Sequence, residues 1–122
     1  MATKNKIQAG GTPVQSSGAA TVVLASVPIV NGCSYQLQAR AVGRDAAGLS
    51  VSAFRTGTAK RVSGTTSLVG VDATVPLVLD AALTGAVVTL VANGNTVELQ
   101  ATGIVLKNID WWGIIEGLEF AP

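Results

Sequence analysis

Apolar and polar residues alternate most cleanly over 35–42, where Tyr35, Leu37, Ala39 and Ala41 fall on one side and Gln36, Gln38 and Arg40 on the other. That two-residue period marks a strand with one face in a core and one in water. Alternation returns over 49–55, with a less regular continuation to Val62, and over 96–101, where Val97, Leu99 and Ala101 point one way. Asn93-Gly94, a strong hairpin signal, joins the latter run to 87–91, whose nearly continuous apolar character predicts a strand covered on both faces. The β-branched run 21–27 is stopped by Pro28 and the turn-forming Asn31-Gly32, and further strands are predicted over 66–71, 75–79 and 109 to about 120. No window of helical length holds a 3.6-residue apolar period, although 80–85 fits one helical turn. Seven or eight short strands separated by turns about every ten residues predict an all-β chain, a small antiparallel β-sandwich or a jelly-roll-like domain.

Residues 1–19 break this pattern. They are rich in Gly, Ser, Gln and Ala without a period, and carry Lys4 and Lys6. The expected organisation is therefore an extended N-terminal arm over 1–19 and a β-sandwich domain over 20–122. An arm loses entropy on ordering unless it lies on something, so its expected role is that of a tether. It lacks the apolar stretch of a secretory signal. The most apolar windows, 22–30 and 75–91, are interrupted by Pro28, Pro76, Asp80 and Gly85 before reaching the roughly 20 residues of a membrane helix.

At 122 residues, with 48% hydrophobic and 12% charged side chains, the chain is long enough for one domain with a real core. Eight basic residues nearly cancel seven acidic ones, which argues against a general electrostatic grip on nucleic acid or an anionic membrane. With no histidine and one cysteine, Ser-His and Cys-His nucleophile pairs, His-ligated metals, zinc ribbons and internal disulfides all drop out. The 14 glycines form no phosphate-cradling motif and read as turn and bulge residues. Asp45, Asp72, Asp80, Glu98, Asp110, Glu116 and Glu119 are scattered, and no sugar cleft accompanies them as a glycosidase would need. Cys33, between Gly32 and Ser34, reads as a structural thiol. The basic cluster Lys60-Arg61, with Arg55 nearby, reads as a solvated face or a contact to carboxylates of a partner. No catalytic residue, cofactor or metal is expected.

Trp111-Trp112 is the most informative pair. Adjacent strand residues point to opposite faces, so a large aromatic stands on both sides of the last strand. One serves the core. The other needs a cover, and the expected one is a subunit interface, with Tyr35 or Phe54 beside it. A sugar-stacking platform is the competing reading.

Five segments carry a resemblance: 35–44 (Tyr35 to Arg44), 52–55 (Ser52 to Arg55), 64–70 (Gly64 to Gly70), 97–103 (Val97 to Gly103) and 109–113 (Ile109-Asp110-Trp111-Trp112-Gly113). Together, over about residues 33–120, they resemble a small β-domain of tailed-bacteriophage virion proteins, found in capsid decoration or cement proteins and in head or tail fibres, typically as a homotrimer. The chain departs from that pattern at the bland stretch 80–85, which weakens the case for a ligand pocket there. The resemblance implies a non-enzymatic trimer on the outer capsid surface of the virion, made in the host cytoplasm, that binds the major capsid protein and strengthens contacts between its subunits. Lys4 and Lys6 would then belong to a capsid-tethering arm. A fibre tip or carbohydrate-binding module reading a host glycan is the alternative the same resemblance leaves open, and a small hydrolase is disfavoured by the missing histidine.

Overall fold

A computed structural model of the protein describes residues 3–72 and 76–122. Within them the chain is an antiparallel β-sandwich with ten strands and one 3₁₀ turn. The strands are β1 (Thr3–Gly10), β2 (Val14–Ser17), β3 (Thr21–Pro28), β4 (Ser34–Asp45), β5 (Ser50–Val62), β6 (Thr65–Asp72), β7 (Val78–Leu79), β8 (Val87–Asn93), β9 (Thr96–Thr102) and β10 (Asn108–Ala121). The larger sheet has the order β1-β10-β4-β5-β6, with β2 also on β10 and β7 on β5; the smaller has the order β3-β9-β8.

The core lies between the sheets and is built by the alternation visible in the sequence. Tyr35, Leu37, Ala39 and Ala41 of β4 are buried, as are Val97, Leu99 and Ala101 of β9 and Ile109, Trp111 and Ile115 of β10. Space for these side chains is made by glycines opposite them. Gly43 pairs with Trp111 across β4 and β10, and a side-chain carbon on Gly43 would come within 2.7 Å of the indole ring. Trp111 Nε1 donates to Ser16 Oγ at 3.0 Å, which satisfies both polar groups inside the core. Arg55 is also buried, and its Nε donates to the Val88 carbonyl at 2.9 Å, joining the two sheets.

Several expectations are corrected. Residues 3–17 are not an arm outside the sheet: β1 pairs with the second half of β10 and β2 with its first, so together they form one edge, interrupted near Pro13. Backbone pairing with a long neighbour holds this segment where its own side-chain pattern gives little signal. The run 87–91 is not covered on both faces. As β8 it is an edge strand, with Val87 exposed and Val88 and Leu90 buried. The strand expected over 75–79 is the short β7; Val75 and the side chain of Asp72 lie outside the described residues. The basic cluster disperses, because Arg55 points inward, Lys60 outward, and Arg61 donates to the Ile29 carbonyl at 3.4 Å. Cys33 is buried just before β4, and the helical turn expected over 80–85 is the 3₁₀ turn Ala81–Leu83.

Candidate functional site

The two tryptophans separate as strand geometry requires. Trp111 is 1% exposed in the core, whereas Trp112 is 54% exposed on the outer face of the larger sheet. Cross-strand register fixes its surroundings. One row runs Trp112, Val42, Ser52, Val78 across β10, β4, β5 and β7, and the next runs Gly10, Ile114, Arg40, Phe54 across β1, β10, β4 and β5. Between the rows lies a shallow depression of about 250 Å³ walled by Trp112, Val42, Ile114 and Arg40. Its floor is the backbone of Ala41 and Gly113, whose residues face the core. Leu118 and Phe120, both about half exposed, continue the apolar stripe along β10 and border a second depression with Lys4 and Lys6.

Polar groups frame the stripe. Arg40 donates to Glu116 Oε1 at 2.6 Å, an exposed pair worth about 0–1 kcal/mol and therefore an orienting contact more than a stabilising one. Gln15 Nε2 donates to Asp110 Oδ1 at 2.9 Å. The outer face of the smaller sheet differs. It carries no aromatic, and its rows mix polar and aliphatic residues: Thr21, Thr102 and Val87; Val23, Gln100 and Thr89; Ser26, Glu98 and Val91, with the Thr21 and Thr102 hydroxyls 2.8 Å apart and Gln100 donating to Glu98 at 2.9 Å.

Of the aromatic residues expected beside the outward tryptophan, the structure brings one. Phe54 stands on the same face, diagonal to Val42. Tyr35 does not, because its position in β4 faces the core. There its hydroxyl donates to Glu119 and accepts from Val30 N at 3.0 Å, while Asn5 Nδ2 donates to the other Glu119 oxygen at 2.8 Å. Burial, followed by the hydrogen bond to Glu119, pushes the Tyr35 phenol up to about 12. The hydrogen bonds from Tyr35 and then Asn5 hold the Glu119 carboxyl below its ordinary value. This constellation ties β1 to β10 and β4; Lys4 and Lys6 alternate out of it onto the outer face.

Sequence reasoning missed Val42, Ile114, Leu118 and Phe120 as surface partners of Trp112. The signal was present, since every second residue from Trp112 to Phe120 except Glu116 is apolar. Among the described residues no three His, Cys, Asp or Glu side chains come together as metal ligands would. No helix among them is long and apolar enough to cross a membrane. Compared with known protein families the chain matches none, and no curated protein is detectably similar to it in sequence.

Proposed function

We propose that this chain is a non-enzymatic structural protein of a tailed-phage virion, a homotrimeric decoration protein that seats on the outside of the head and strengthens contacts between major capsid subunits. The observation that carries the reading is the apolar stripe of Trp112, Ile114, Leu118 and Phe120, with Val42 and Phe54 beside it, on the otherwise polar outer face of the larger sheet. Soluble monomers seldom leave a row of aromatic and branched side chains on one flat face, because burying each is worth about 1.5–3 kcal/mol. The size of the face fits a subunit contact. From Ser34 to Arg44 it is roughly 35 Å long at about 3.4 Å per residue, and five strands about 4.8 Å apart make it about 19 Å wide. That is about 700 Å² for the whole face, polar flanks included, close to the roughly 800 Å² per partner of a stable interface, with the apolar stripe as its centre and the polar flanks as its rim. The likeness of residues 33–120 to phage virion β-domains supplies the setting, a lattice on which a small trimer gains by repeated weak contacts.

A second reading has its own support. Trp112 exposes an aromatic face with Arg40, Glu116, Asp110 and Gln15 around it, the mixture of platform and hydrogen-bonding groups that a sugar ring uses. Sedimentation velocity across micromolar concentrations, followed by mixing with empty heads of the phage that encodes the chain, separates the two. A trimer that binds heads supports decoration. A monomer that ignores heads and changes its tryptophan emission with a host glycan supports the module.

A further inference from the structure

Two of the five asparagines, Asn31 and Asn93, precede a glycine. In such a pair the glycine nitrogen has no side chain beside it to block approach and can close on the asparagine side-chain carbonyl carbon, which makes the asparagine chemically labile. Both pairs lie at turns, and all four residues are exposed, so neither the dipeptide nor access to water distinguishes them.

Hydrogen bonding does. At 31–32 both reacting groups are held by residues far along the chain: Gly32 N donates to the Arg61 carbonyl at 2.7 Å, and Asn31 Oδ1 accepts from Gly64 N at 2.9 Å. Moving the Gly32 nitrogen onto the Asn31 side chain means opening both contacts. At 93–94 the reacting groups are free. The two-residue loop Gly94-Asn95 joins β8 to β9, with Asn93 paired to Thr96 and Gly94 at φ 59°. Thr96 Oγ1 donates to the Asn93 carbonyl at 2.8 Å, which holds the oxygen of the 93–94 peptide and draws charge from its nitrogen. The Gly94 N–H itself has no partner among the described residues. The Asn93 side chain is restrained by Nδ2 alone, which donates to Glu98 Oε1 at 3.2 Å in an exposed contact that leaves Oδ1 unengaged.

We propose that Asn93 is a site of intramolecular deamidation in the folded protein and that the fold protects Asn31. The Gly94 nitrogen loses its proton to hydroxide and forms a bond to Asn93 Cγ; the Cγ–Nδ2 bond breaks, and ammonia leaves with a proton taken from water. The cyclic imide so formed is opened by water at one carbonyl or the other, giving aspartate or isoaspartate, with no oxidant or reductant involved. Either product changes the hairpin. Glu98 is the only charged residue of β3, β8 and β9, and a carboxylate at 93 replaces its amide donor with a like charge. Isoaspartate also routes the main chain through the former side chain, which lengthens the strand at the position paired with Thr96 and disturbs the register of the loop.

The test holds the full chain at mildly alkaline pH, folded in one arm and unfolded by denaturant in the other, with circular dichroism to verify each state. Protease digestion and mass spectrometry follow the amide-to-acid conversion at both sites, and each site's folded rate is divided by its own unfolded rate. That ratio is expected to be about 10-fold or more higher at Asn93 than at Asn31, the order of effect when two hydrogen bonds must open first. Asn93→Gln, whose longer side chain closes the ring far less easily, is expected to remove the fast conversion and leave the Asn31 rate unchanged. Equal ratios at the two sites, or a higher ratio at Asn31, would overturn the assignment. So would a folded chain in which neither site converts while the unfolded chain converts both.

Discussion

The two sides of β10 are made from neighbouring residues and have opposite fates. Ile109, Trp111 and Ile115 face the smaller sheet and are fully buried; Trp112, Leu118 and Phe120 face away from it and are about half exposed. Both sets are strongly apolar, so hydropathy alone does not say which is core. What separates them is the presence of a second sheet on one side, whose Leu24 and Leu99 fill the space over Gly113. The outer face of that second sheet completes the comparison: no sheet covers it either, and it carries threonines, Gln100, Glu98, Val23, Val87 and Val91, but no aromatic. A face with no sheet over it can therefore do without aromatics in this fold. The aromatic stripe on the outer face of the larger sheet is the feature on which the proposed subunit contact rests.

The largest effect expected is from removing the segment read as an arm. Deleting residues 1–17 takes away β1, β2 and the Ser16 acceptor of Trp111, and should abolish cooperative unfolding in thermal circular dichroism. A stably folded truncated chain would show that the edge is dispensable. Next, Trp111→Ala should cost about 3–5 kcal/mol, whereas Trp112→Ala should change the stability of the monomer by under about 1 kcal/mol while lowering the melting temperature of concentrated samples. Equal costs in dilute solution would erase the distinction between the faces. Gly43→Ala sharpens the inner side: its new methyl overlaps the Trp111 ring, for an expected cost of about 1–3 kcal/mol by denaturant titration.

The smallest effect concerns the rim where β1 is fastened. Glu119 is held below its ordinary value of 4.5, so its contribution is complete above that pH and disappears as the pH falls through the lowered folded value. Tyr35 is raised from 10.0 to about 12, so its contribution is complete below pH 10 and disappears as the pH rises towards about 12. Glu119→Gln should flatten the acid limb of a stability-against-pH profile, and Tyr35→Phe the alkaline limb. Unchanged limbs in both variants would mean that other groups set the profile.

Much of the sandwich was legible, because β4, β5 and β9 obey a strict alternation that only one pairing register can bury. The division of labour between Trp111 and Trp112 was legible for the same reason. Residues 3–17 were not, since an edge strand held by backbone bonds needs no apolar period, and Gly10-Gly11 and Pro13 look like linker chemistry. The run 87–91 misled because Val87 and Val91 are apolar although they lie on the outer side of an edge strand. Tyr35 was assigned to the wrong company because sequence gives the face of a residue within its own strand but not which face the neighbouring strand shares with it.

Acrylamide quenching of the native protein's tryptophan fluorescence over a dilution series tests the central claim, that copies of the chain cover the outer face of the larger sheet. Trp111 is shielded in every folded state, so any change reports Trp112. The expected result is weak quenching at high concentration and quenching of about half the emission once dilution releases monomers, with folded circular dichroism throughout. Half the emission quenched equally at every concentration, from micromolar to millimolar, would contradict it.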